Sequence, residues 1–426
     1  MGNTLLTVTM VNREGLRVVH NNIVFAKGIN RQYSKEFAII GAKIGDTVNV
    51  RKPNKYNLRR GTQIQIQGTN EQTVPVKLTT QYGVDPSFSS QDLTLSLDDF
   101  GKRVLTPAMA QITSGIDYDG LQLVSQVYNN VGAPTVTPGN TAGAGLANSN
   151  SPTIFLNAGM MLDNMACPRD ENRRIIMNPI AQATTVSGLS GLFNDQATLG
   201  EQYKKGVMGR ALGFEFAMDQ NVGIQTSGNH SNTTVVIGSA NQSGATLALV
   251  GGANTTFFPG ERFTVANVSS VNPENRQSTG QLMQFVILPS ANVATANYPA
   301  GYYIADSGGN VVLNISPAII GPSTPANPLQ TVTVLPAGGA TLTFNMAANT
   351  TTAVNNVAYH QDAFTLATAD LIVPGGVDFA ARENYDGISM RIVRAYDITN
   401  DLFPTRIDVL AGWASLRSEF ACAIWG

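Results

Sequence analysis

The middle of the chain is almost free of charged residues. Between Gly223 and Asn356 only five positions carry charge, namely Glu261, Arg262, Glu274, Arg276 and Asp306. The same segment holds seven strand-like runs separated by Gly, Pro and Asn: Thr233–Ile237, Ala245–Val250, Arg262–Val268, Leu282–Leu288, Val311–Ile315, Gln330–Leu335 and Ala340–Met346. Short strands punctuated by turn residues are typical of all-β domains. Residues 223–356 therefore predict a compact β-barrel or sandwich, inserted into a body of ordinary charge.

A dense basic cluster lies in the first part of the chain. Five cations fall within ten positions without an intervening acid: Arg51, Lys52, Lys55, Arg59 and Arg60. Around them Thr47–Val50, Gln63–Gln67 and Val74–Leu78 alternate apolar and polar residues, which is the period of half-exposed strands. The pattern predicts a protruding basic β-hairpin over residues 47–78. Its cations are interpreted either as a contact for acidic or phosphate groups or as the surface of an ordinary solvated ribbon.

One long helix is predicted after the hairpin. Ser96, followed by Asp98 and Asp99, is typical of a helix start with acids in its first turn. Apolar residues then recur at intervals of three, four, seven and four, at Met109, Ile112, Ile116, Leu123 and Val127. With Gly132 as the stop, this stripe predicts a helix over 107–131 that opens on a proline and is about 38 Å long.

The rest of the body mixes helix and strand. Asp117 and Asp119 are interpreted as the polar face of the long helix, and the charge-free residues 132–152 predict a loop. Strand-like runs follow at Thr153–Leu156, Arg174–Met177, Gly213–Phe216, Ile388–Ile398 and Arg406–Trp413, with helix-like runs at Asn178–Ala183 and Ala197–Lys205. The alternation predicts an α+β body.

Composition and spacing exclude several classes of protein. The 27 basic and 29 acidic residues leave a net charge of −2, which gives no sign of a nucleic-acid-binding protein. Cys167 and Cys422 stand alone and are interpreted as isolated buried residues, and the three histidines do not cluster, so no metal site is predicted. No phosphate loop or nucleophile elbow occurs, so neither an enzyme nor a cofactor is predicted. No leader sequence and no run of ~18 apolar residues is present, which predicts a protein kept or assembled in a cytosol-like compartment, away from membranes.

Four stretches give the chain a family likeness. They are Gly200–Val222 (GEQYKKGVMGRALGFEFAMDQNV), Gly260–Leu288 (GERFTVANVSSVNPENRQSTGQLMQFVIL), Tyr359–Leu371 (YHQDAFTLATADL) and Arg406–Gly426 (RIDVLAGWASLRSEFACAIWG). With the order of hairpin, long helix, mixed segment and β insertion, they resemble the major capsid (coat) proteins of tailed phages with the Hong Kong 97 fold. Among these, the likeness is to the P-twenty-two-like type with an inserted β-barrel, and it covers nearly the whole chain.

The resemblance implies an α+β fold of six segments. These are an N-terminal arm (1–46), an extended loop (47–78), a peripheral domain with the spine helix 107–131 (79–152), the first part of an axial domain (153–222), the inserted barrel (223–356), and the completion of the axial and peripheral domains (357–426).

The resemblance also implies a structural function. Many copies would form the hexamers and pentamers of an icosahedral shell in the host bacterial cytoplasm, with a scaffolding protein and a portal protein. The resulting procapsid would expand when double-stranded DNA, held without sequence preference, is packaged. The protein would then be part of the virion capsid, and no covalent cross-linking motif is found.

Particular residues acquire roles from the same resemblance. The extended loop of one subunit would lie over the peripheral domain of its neighbour. That places Arg51, Lys52, Lys55, Arg59 and Arg60 near the acids Asp92, Asp98 and Asp99 of the adjoining subunit. The family also uses a charged loop of the inserted barrel between capsomers. This insertion departs from that pattern because it has few charges, and Glu274 and Arg276, in the turn Pro273–Gln277, are the residues expected in such a contact.

Two other functions remain open at this stage. A phage tail-fibre or adhesin-like β-structural surface protein would share the strands rich in Gly, Asn and Thr, although the long helix and the lack of a repeat period disfavour it. A nucleic-acid-binding protein would use the basic hairpin, but Tyr56 is the only aromatic residue within the basic run.

Overall fold

The computed structural model describes most of the chain. The described residues are 15–19, 23–34, 47–59, 61–64, 66–68, 71–89, 106–132, 153–189, 209–230, 234–323, 327–349, 353–377, 379–385 and 387–425. The predicted helix at 197–205, the predicted loop at 132–152 apart from Gly132, and the predicted helix start at Ser96 lie outside them. Two compact units are present, one drawn from Met1–Lys52, Thr73–Leu121 and Phe364–Leu416, the other from Pro53–Gln72, Gln122–Ala363 and Arg417–Gly426.

The first unit is built on a seven-stranded sheet and a hairpin. The sheet strands are β1 (Asn30–Ser34), β4 (Thr80–Val84), β5 (Ser87–Ser89), β21 (Phe364–Ala369), β22 (Phe379–Tyr385), β23 (Ile388–Arg394) and β24 (Leu402–Ser415), and the hairpin strands are β2 (Thr47–Arg51) and β3 (Thr73–Lys77). The long strand β24 is central, since it pairs with β21 and β23 along one edge and with β4 and β5 along the other. β1 lies parallel to β21, and β2 pairs antiparallel with β3 as predicted.

The helix α1 (Thr106–Gln122) packs its apolar stripe in this unit. Met109, Ile112 and Ile116 are buried, in agreement with the predicted period. Asp117 is not on a polar face as predicted, because it is 2% exposed and accepts the backbone N–H groups of Val24 and Ala26 at 2.9 and 3.0 Å. The carboxylate therefore holds the segment that precedes β1 against the helix.

The long helix is shorter than the predicted 107–131. α1 ends at Gln122, a 3₁₀ turn spans Leu123–Gln126, and the chain then becomes the short strand β6 (Asn130–Val131). Spacing alone suggested a continuous stripe because Leu123 and Val127 fall at helical intervals. Instead, the backbone of β6 pairs in parallel with Ala423 and Ile424 near the end of the chain, so a sheet partner competes with the helix for these residues.

The second unit contains a six-stranded mixed sheet and two helices. Its strands are β6, β7 (Arg173–Met177), β8 (Arg210–Ala211), β9 (Phe214–Met218), β20 (Asn356–His360) and β25 (Ala421–Ile424), in the order β6-β25-β20-β7-β9-β8. The helices are α2 (Thr153–Asn164) and α3 (Pro179–Leu189). α3 begins as predicted, with Pro179 at its first position and the Asn178 side chain accepting the N–H of Ala181 at 2.7 Å.

The predicted strand at Thr153–Leu156 is wrong, because these residues open α2. Its buried positions are Phe155, Ala158, Met161 and Leu162, which recur at helical spacing and pack toward the sheet. A run of four residues is too short to separate a strand from a helix by period. The helix is apparent only when the buried residues beyond Leu156 are included.

A closed barrel of six strands forms the predicted insertion. The strands are β11 (Val236–Ile237), β12 (Gly244–Val250), β14 (Arg262–Val271), β15 (Ser278–Ile287), β17 (Asn310–Ile319) and β18 (Leu342–Phe344), in the order β11-β12-β17-β15-β14-β18. The ring closes because Val236 also bridges Thr341, and the N–H of Ile237 donates to Ala340 O at 2.9 Å. Closure removes the sheet edges. Phe263, Phe285, Leu313 and Leu342 are among the fully buried residues inside it.

Two short ribbons complete the barrel. β13 (Thr256–Phe257) pairs with β16 (Tyr303–Ile304), while β10 (Ile224–Gln225) pairs with β19 (Ala353–Val354) where the chain enters and leaves. The predicted strand Gln330–Leu335 is wrong. Val332 is buried but forms only an isolated bridge to Ser270, while Thr331 bonds to Ile320, so the segment has no continuous partner for a ladder. None of the described helices is long and apolar enough to cross a membrane.

Candidate subunit interface

The basic cations lie at the start of the extended loop. Arg51 ends β2 and is exposed, Lys52 is half-buried, and Lys55 and Arg59 are exposed, whereas Arg60 lies outside the described residues. The Arg59 guanidinium bonds within its own loop, since Nη1 donates to Gly61 O at 2.5 Å and to Gln63 O at 2.7 Å. Arg59 thus shapes the loop in addition to giving it charge.

An amide pair crosses the loop. Gln67 Oε1 accepts the backbone N–H of Asn57 at 2.7 Å, and Gln67 Nε2 donates to Asn57 O at 2.6 Å. This side chain imitates the two bonds that a paired strand would make. The predicted strand at Gln63–Gln67 is absent from its described residues, where the chain bends instead.

Three large aliphatic side chains project from this loop. Leu58 is 80% exposed, Ile64 83% and Ile66 94%, and we refer to these three as the apolar loop residues. Tyr56, in the segment 53–56 that we call the loop root, is also 54% exposed. Sequence reasoning named the cations and missed these residues, because the alternation at Gln63–Gln67 predicted only a half-exposed strand. The available signal was the presence of three large aliphatic residues in the otherwise mostly polar stretch 51–73.

The turn Pro273–Gln277 connects β14 to β15 and is organised by Asn272. Its Oδ1 accepts the N–H of Glu274 at 2.9 Å, and its carbonyl accepts the N–H of Arg276 at 2.9 Å. Glu274 is exposed and Arg276 is half-buried. The backbone of Arg276 has φ +57°, in the left-handed region.

The structure brings Lys55, Glu274 and Arg276 around one cavity of about 290 Å³. It is lined by Pro53, Asn54, Lys55, Tyr56, Met165, Ala166, Pro273, Glu274, Arg276, Arg417 and Glu419. Arg417 Nε lies 3.3 Å from Glu419 Oε1, and the guanidinium stacks 3.8 Å over the Phe420 ring. The loop root and the barrel turn, which were singled out separately in the sequence, are therefore neighbours. The acids Asp92, Asp98 and Asp99 lie outside the described residues.

The cysteines are buried, as interpreted from their isolation. Burial raises the pKa of Cys167 to about 11 and that of Cys422 to about 12. Both thiols are therefore protonated and weakly nucleophilic near neutral pH. Within the described part of the chain, no three His, Cys, Asp or Glu side chains are grouped as metal ligands.

Comparisons with known proteins give matches among solved structures. No protein-family model matches the chain, and no curated protein matches it. The capsid structure of the cyanophage P-SCSP1u matches 95% of this chain and 88% of its own at 8% identity and a TM-score of 0.43. The asymmetric unit of the mature capsid of bacteriophage PhiM1 matches 93% and 85% at 10% identity and a TM-score of 0.40. The CUS-3 coat protein I-domain matches 27% of this chain and 96% of its own at 21% identity and a TM-score of 0.19.

Proposed function

We propose that this protein is the major capsid protein of a tailed phage, the subunit from which the icosahedral shell is built. One observation carries the proposal. The extended loop is braced by its own hydrogen bonds, yet it presents three aliphatic side chains that are at least 80% exposed. An ordered loop that exposes large apolar side chains marks a surface for another protein.

The partner that fits best is a second copy of the same chain. A loop that projects from one place on a subunit and docks at another place on a copy makes a head-to-tail contact, and such contacts close into rings. Hexamers and pentamers are rings of this kind. The order of parts that underlies the capsid resemblance, namely hairpin, helix, mixed sheet and inserted barrel, supports the same partner.

The energetics favour repetition over a single strong contact. Burying the three apolar loop residues contributes about 5–9 kcal/mol. Association costs a comparable ~4–15 kcal/mol of lost freedom, so one loop contact is marginal. A closed shell becomes stable because every subunit both provides and receives a loop.

In this proposal the exposed cations determine which partner binds and in which register, and they add little to the stability of the contact. Arg51, Lys55 and Arg59 are exposed, and exposed ion pairs contribute ~0–1 kcal/mol each. Their partners would be Asp92, Asp98 and Asp99 of the adjoining subunit. Charge complementarity of this sort fixes register and speeds encounter.

The finer parts of the function are also proposals. A scaffolding protein would guide assembly in the host bacterial cytoplasm, a portal protein would occupy one vertex, and packaged double-stranded DNA would contact the inner surface without sequence preference. Glu274 would contribute to contacts between capsomers. The protein would act without a catalytic site or cofactor.

Replacing the apolar loop residues tests the proposal. The triple variant Leu58→Ser, Ile64→Ser, Ile66→Ser is expected to keep the wild-type circular dichroism spectrum and Tm, because these side chains are exposed in the subunit. It is expected to form no shells in negative-stain microscopy, with or without a candidate scaffolding protein.

The matched control keeps the apolar surface. Leu58→Met, Ile64→Val, Ile66→Val is expected to assemble like the wild type. Closed shells from the serine variant would exclude the loop as the interface. Elongated trimers from the wild-type chain would support the tail-fibre alternative instead.

A further inference from the structure

We propose that Arg276 is a positioning residue that fixes the root of the extended loop on the barrel of its own subunit. The root is the segment 53–56, and the apolar loop residues lie beyond it. Fixing the root sets the place from which these residues project. The effect on assembly rests on the proposed function, whereas the intrasubunit contact does not.

One guanidinium joins three separate segments of the second unit. Arg276 Nη1 donates to Glu274 O of its own turn at 2.7 Å. Arg276 Nη2 donates to Tyr56 O of the loop root at 3.0 Å and to Pro328 O at 3.3 Å. Arginine suits this task because its planar fork holds several donors in a fixed geometry.

A cavity lies beside the same contact. The cavity of about 290 Å³ lies between the loop root, the barrel turn and the segment at Met165 and Ala166. Atoms that line a void lack partners on one side and lose dispersion contacts. The hydrogen bond from Arg276 to Tyr56 O attaches the root directly to the barrel turn.

The backbone at Arg276 points to the side chain as the reason for this residue. At φ +57° a residue with a side chain is disfavoured relative to glycine. Glycine would satisfy the turn with less strain, because the turn itself is organised by Asn272. The arginine is therefore explained by its side chain: the unfavourable backbone conformation places the guanidinium between the loop root and Pro328.

The loop beyond the root is organised independently. Arg59 bonds to Gly61 and Gln63, and Gln67 bonds to Asn57. The loop is thus a preformed unit whose attachment at the root depends on Arg276. A preformed and fixed loop loses less conformational entropy when it docks on a partner.

Limited proteolysis of the unassembled full-length chain tests the attachment. Trypsin cleaves after Lys55, adjacent to the carbonyl that Arg276 holds, and after Arg59 in the loop beyond. In Arg276→Gly, cleavage after Lys55 is expected to be ~10-fold faster, because cleavage follows the population of the released root and a tenfold change corresponds to about 1.4 kcal/mol. Cleavage after Arg59 is expected to change less than about twofold, since that segment keeps its own bonds.

Two variants serve as controls. Asn275→Gly changes the same turn without touching the root, since Asn275 Oδ1 accepts only the N–H of Gln277 among the bonds described here, and it is expected to cleave like the wild type. Arg276→Lys keeps the positive charge but loses the planar guanidinium with its several donors. Its rate of cleavage after Lys55 is expected to show most of the increase expected for Arg276→Gly. Cleavage after Arg262, which is buried in the barrel, reports on global unfolding and is expected to stay at the wild-type rate.

Three results would overturn the attachment: an unchanged rate after Lys55 in Arg276→Gly, an equal increase in Asn275→Gly, or a parallel increase after Arg262. Assembly followed by light scattering tests the positioning role, and Arg276→Gly is expected to assemble at least ~5-fold more slowly than the wild type. Normal assembly of a variant whose root is released would refute that role. Failure of the wild-type chain to assemble would refute the proposed function, while the proteolysis result would still decide the attachment.

Discussion

At the scale of single residues, a fully buried arginine binds the chain just beyond the end of the long helix. Arg262 is 0% exposed, donates to Val124 O and Val127 O at 2.7 Å each, and lies 4.6 Å from the centre of the Trp425 ring. The last carbonyls of a helix have no partner within the helix. Arg262 supplies a donor from the barrel to a carbonyl of the 3₁₀ turn, Val124 O, which also accepts the N–H of Val127 at 3.1 Å, and to Val127 O just after the turn. Burial lowers the pKa of Arg262. The sequence shows Arg262 as one of five charges in the insertion, without a sign of this role.

Removing this side chain takes one hydrogen-bond donor from each of two carbonyls, Val124 O and Val127 O. Arg262→Ala is expected to lower the free energy of unfolding by about 3–5 kcal/mol, since hydrogen bonds to charged groups contribute about 1.5–3 kcal/mol each. Arg262→Lys, which keeps one donor group, should lose about half as much. Urea unfolding followed by tryptophan fluorescence measures both, and a loss below about 1 kcal/mol in Arg262→Ala would contradict the assignment.

Asp163 gives the second unit a dependence on pH. Partial burial would raise the pKa of this carboxyl, but hydrogen bonds from Arg169 and Arg173 outweigh burial and lower it. Because the pKa of this carboxyl is lower in the folded than in the unfolded chain, its ionised form stabilises the fold. This stabilisation is complete above the pKa of the unfolded chain, about 4, and is lost as the pH falls through the pKa of the folded chain.

Asp163→Asn is therefore expected to lower the free energy of unfolding by about 1–2 kcal/mol at pH 7, and by less at pH 3, below the unfolded pKa of about 4. Urea unfolding at the two pH values measures the difference. Glu274→Gln removes the same charge from an exposed position and should change stability little at either pH. A penalty of Asp163→Asn that is equal at both values would contradict the pairing.

At the scale of elements, α1 approaches its sheet closely because one of its residues is glycine. A Cβ on Gly120 would lie 2.6 Å from Trp413 Cη2 and 2.8 Å from Phe25 Cδ1. The same two rings stack with centroids 5.6 Å apart. Gly115, one and a half turns earlier, has room, since its Cβ would lie 3.5 Å from the Tyr82 ring.

The two glycines form a matched pair for mutation. Alanine gains up to ~1 kcal/mol of helix propensity at either position. Overpacking against Trp413 costs about 1–3 kcal/mol, so Gly120→Ala is expected to be destabilising overall and Gly115→Ala neutral or stabilising. Thermal unfolding of both variants measures the contrast, and a stabilised Gly120→Ala would show that the sheet side of α1 is loosely packed.

What the sequence could predict at this scale depended on whether an element is specified locally. Hydrophobic period and nearby turn residues predicted three features: the hairpin of β2 and β3, the start of α3 at Pro179, and most of the barrel strands. The end of α1 does not, because the residues that follow it bond to distant parts of the chain: Asn130 and Val131 pair with Ala423 and Ile424, and Arg262 donates to the carbonyls of Val124 and Val127. The site divides in the same way. The cations were visible as a cluster, whereas the meeting of Arg276 with Tyr56 is a product of the tertiary fold.

At the scale of the whole molecule, charge is distributed unevenly along the chain. The barrel segment has five charged residues, while the extended loop combines cations with exposed aliphatic side chains. The α+β class and the closed barrel follow the predictions, and the six-segment division remains a prediction. A near-neutral total of −2 thus conceals distinct surfaces, each suited to a different contact.

The barrel has its own core, and residues 223–356 are expected to fold when excised. Its strands close on themselves, and its buried residues come from within the segment apart from Tyr128. The ¹H–¹⁵N spectrum should be dispersed, and a collapsed spectrum would contradict an independent domain. Arg262→Met should destabilise the full chain but not the fragment, because the fragment lacks Val124 and Val127.

The ribbon of β10 and β19 has a consequence for the order of folding. Because the barrel brings Ile224 and Val354 side by side, a folded barrel replaces roughly 130 residues of chain by a single short connection. The strands β7 and β20, which pair with each other, lie before and after the barrel in sequence. With the barrel folded, the entropic cost of closing the loop between them would be about 1 kcal/mol lower. Lower effective contact order speeds folding. A barrel that folds first would thereby bring together the two parts of the sheet that it separates in sequence.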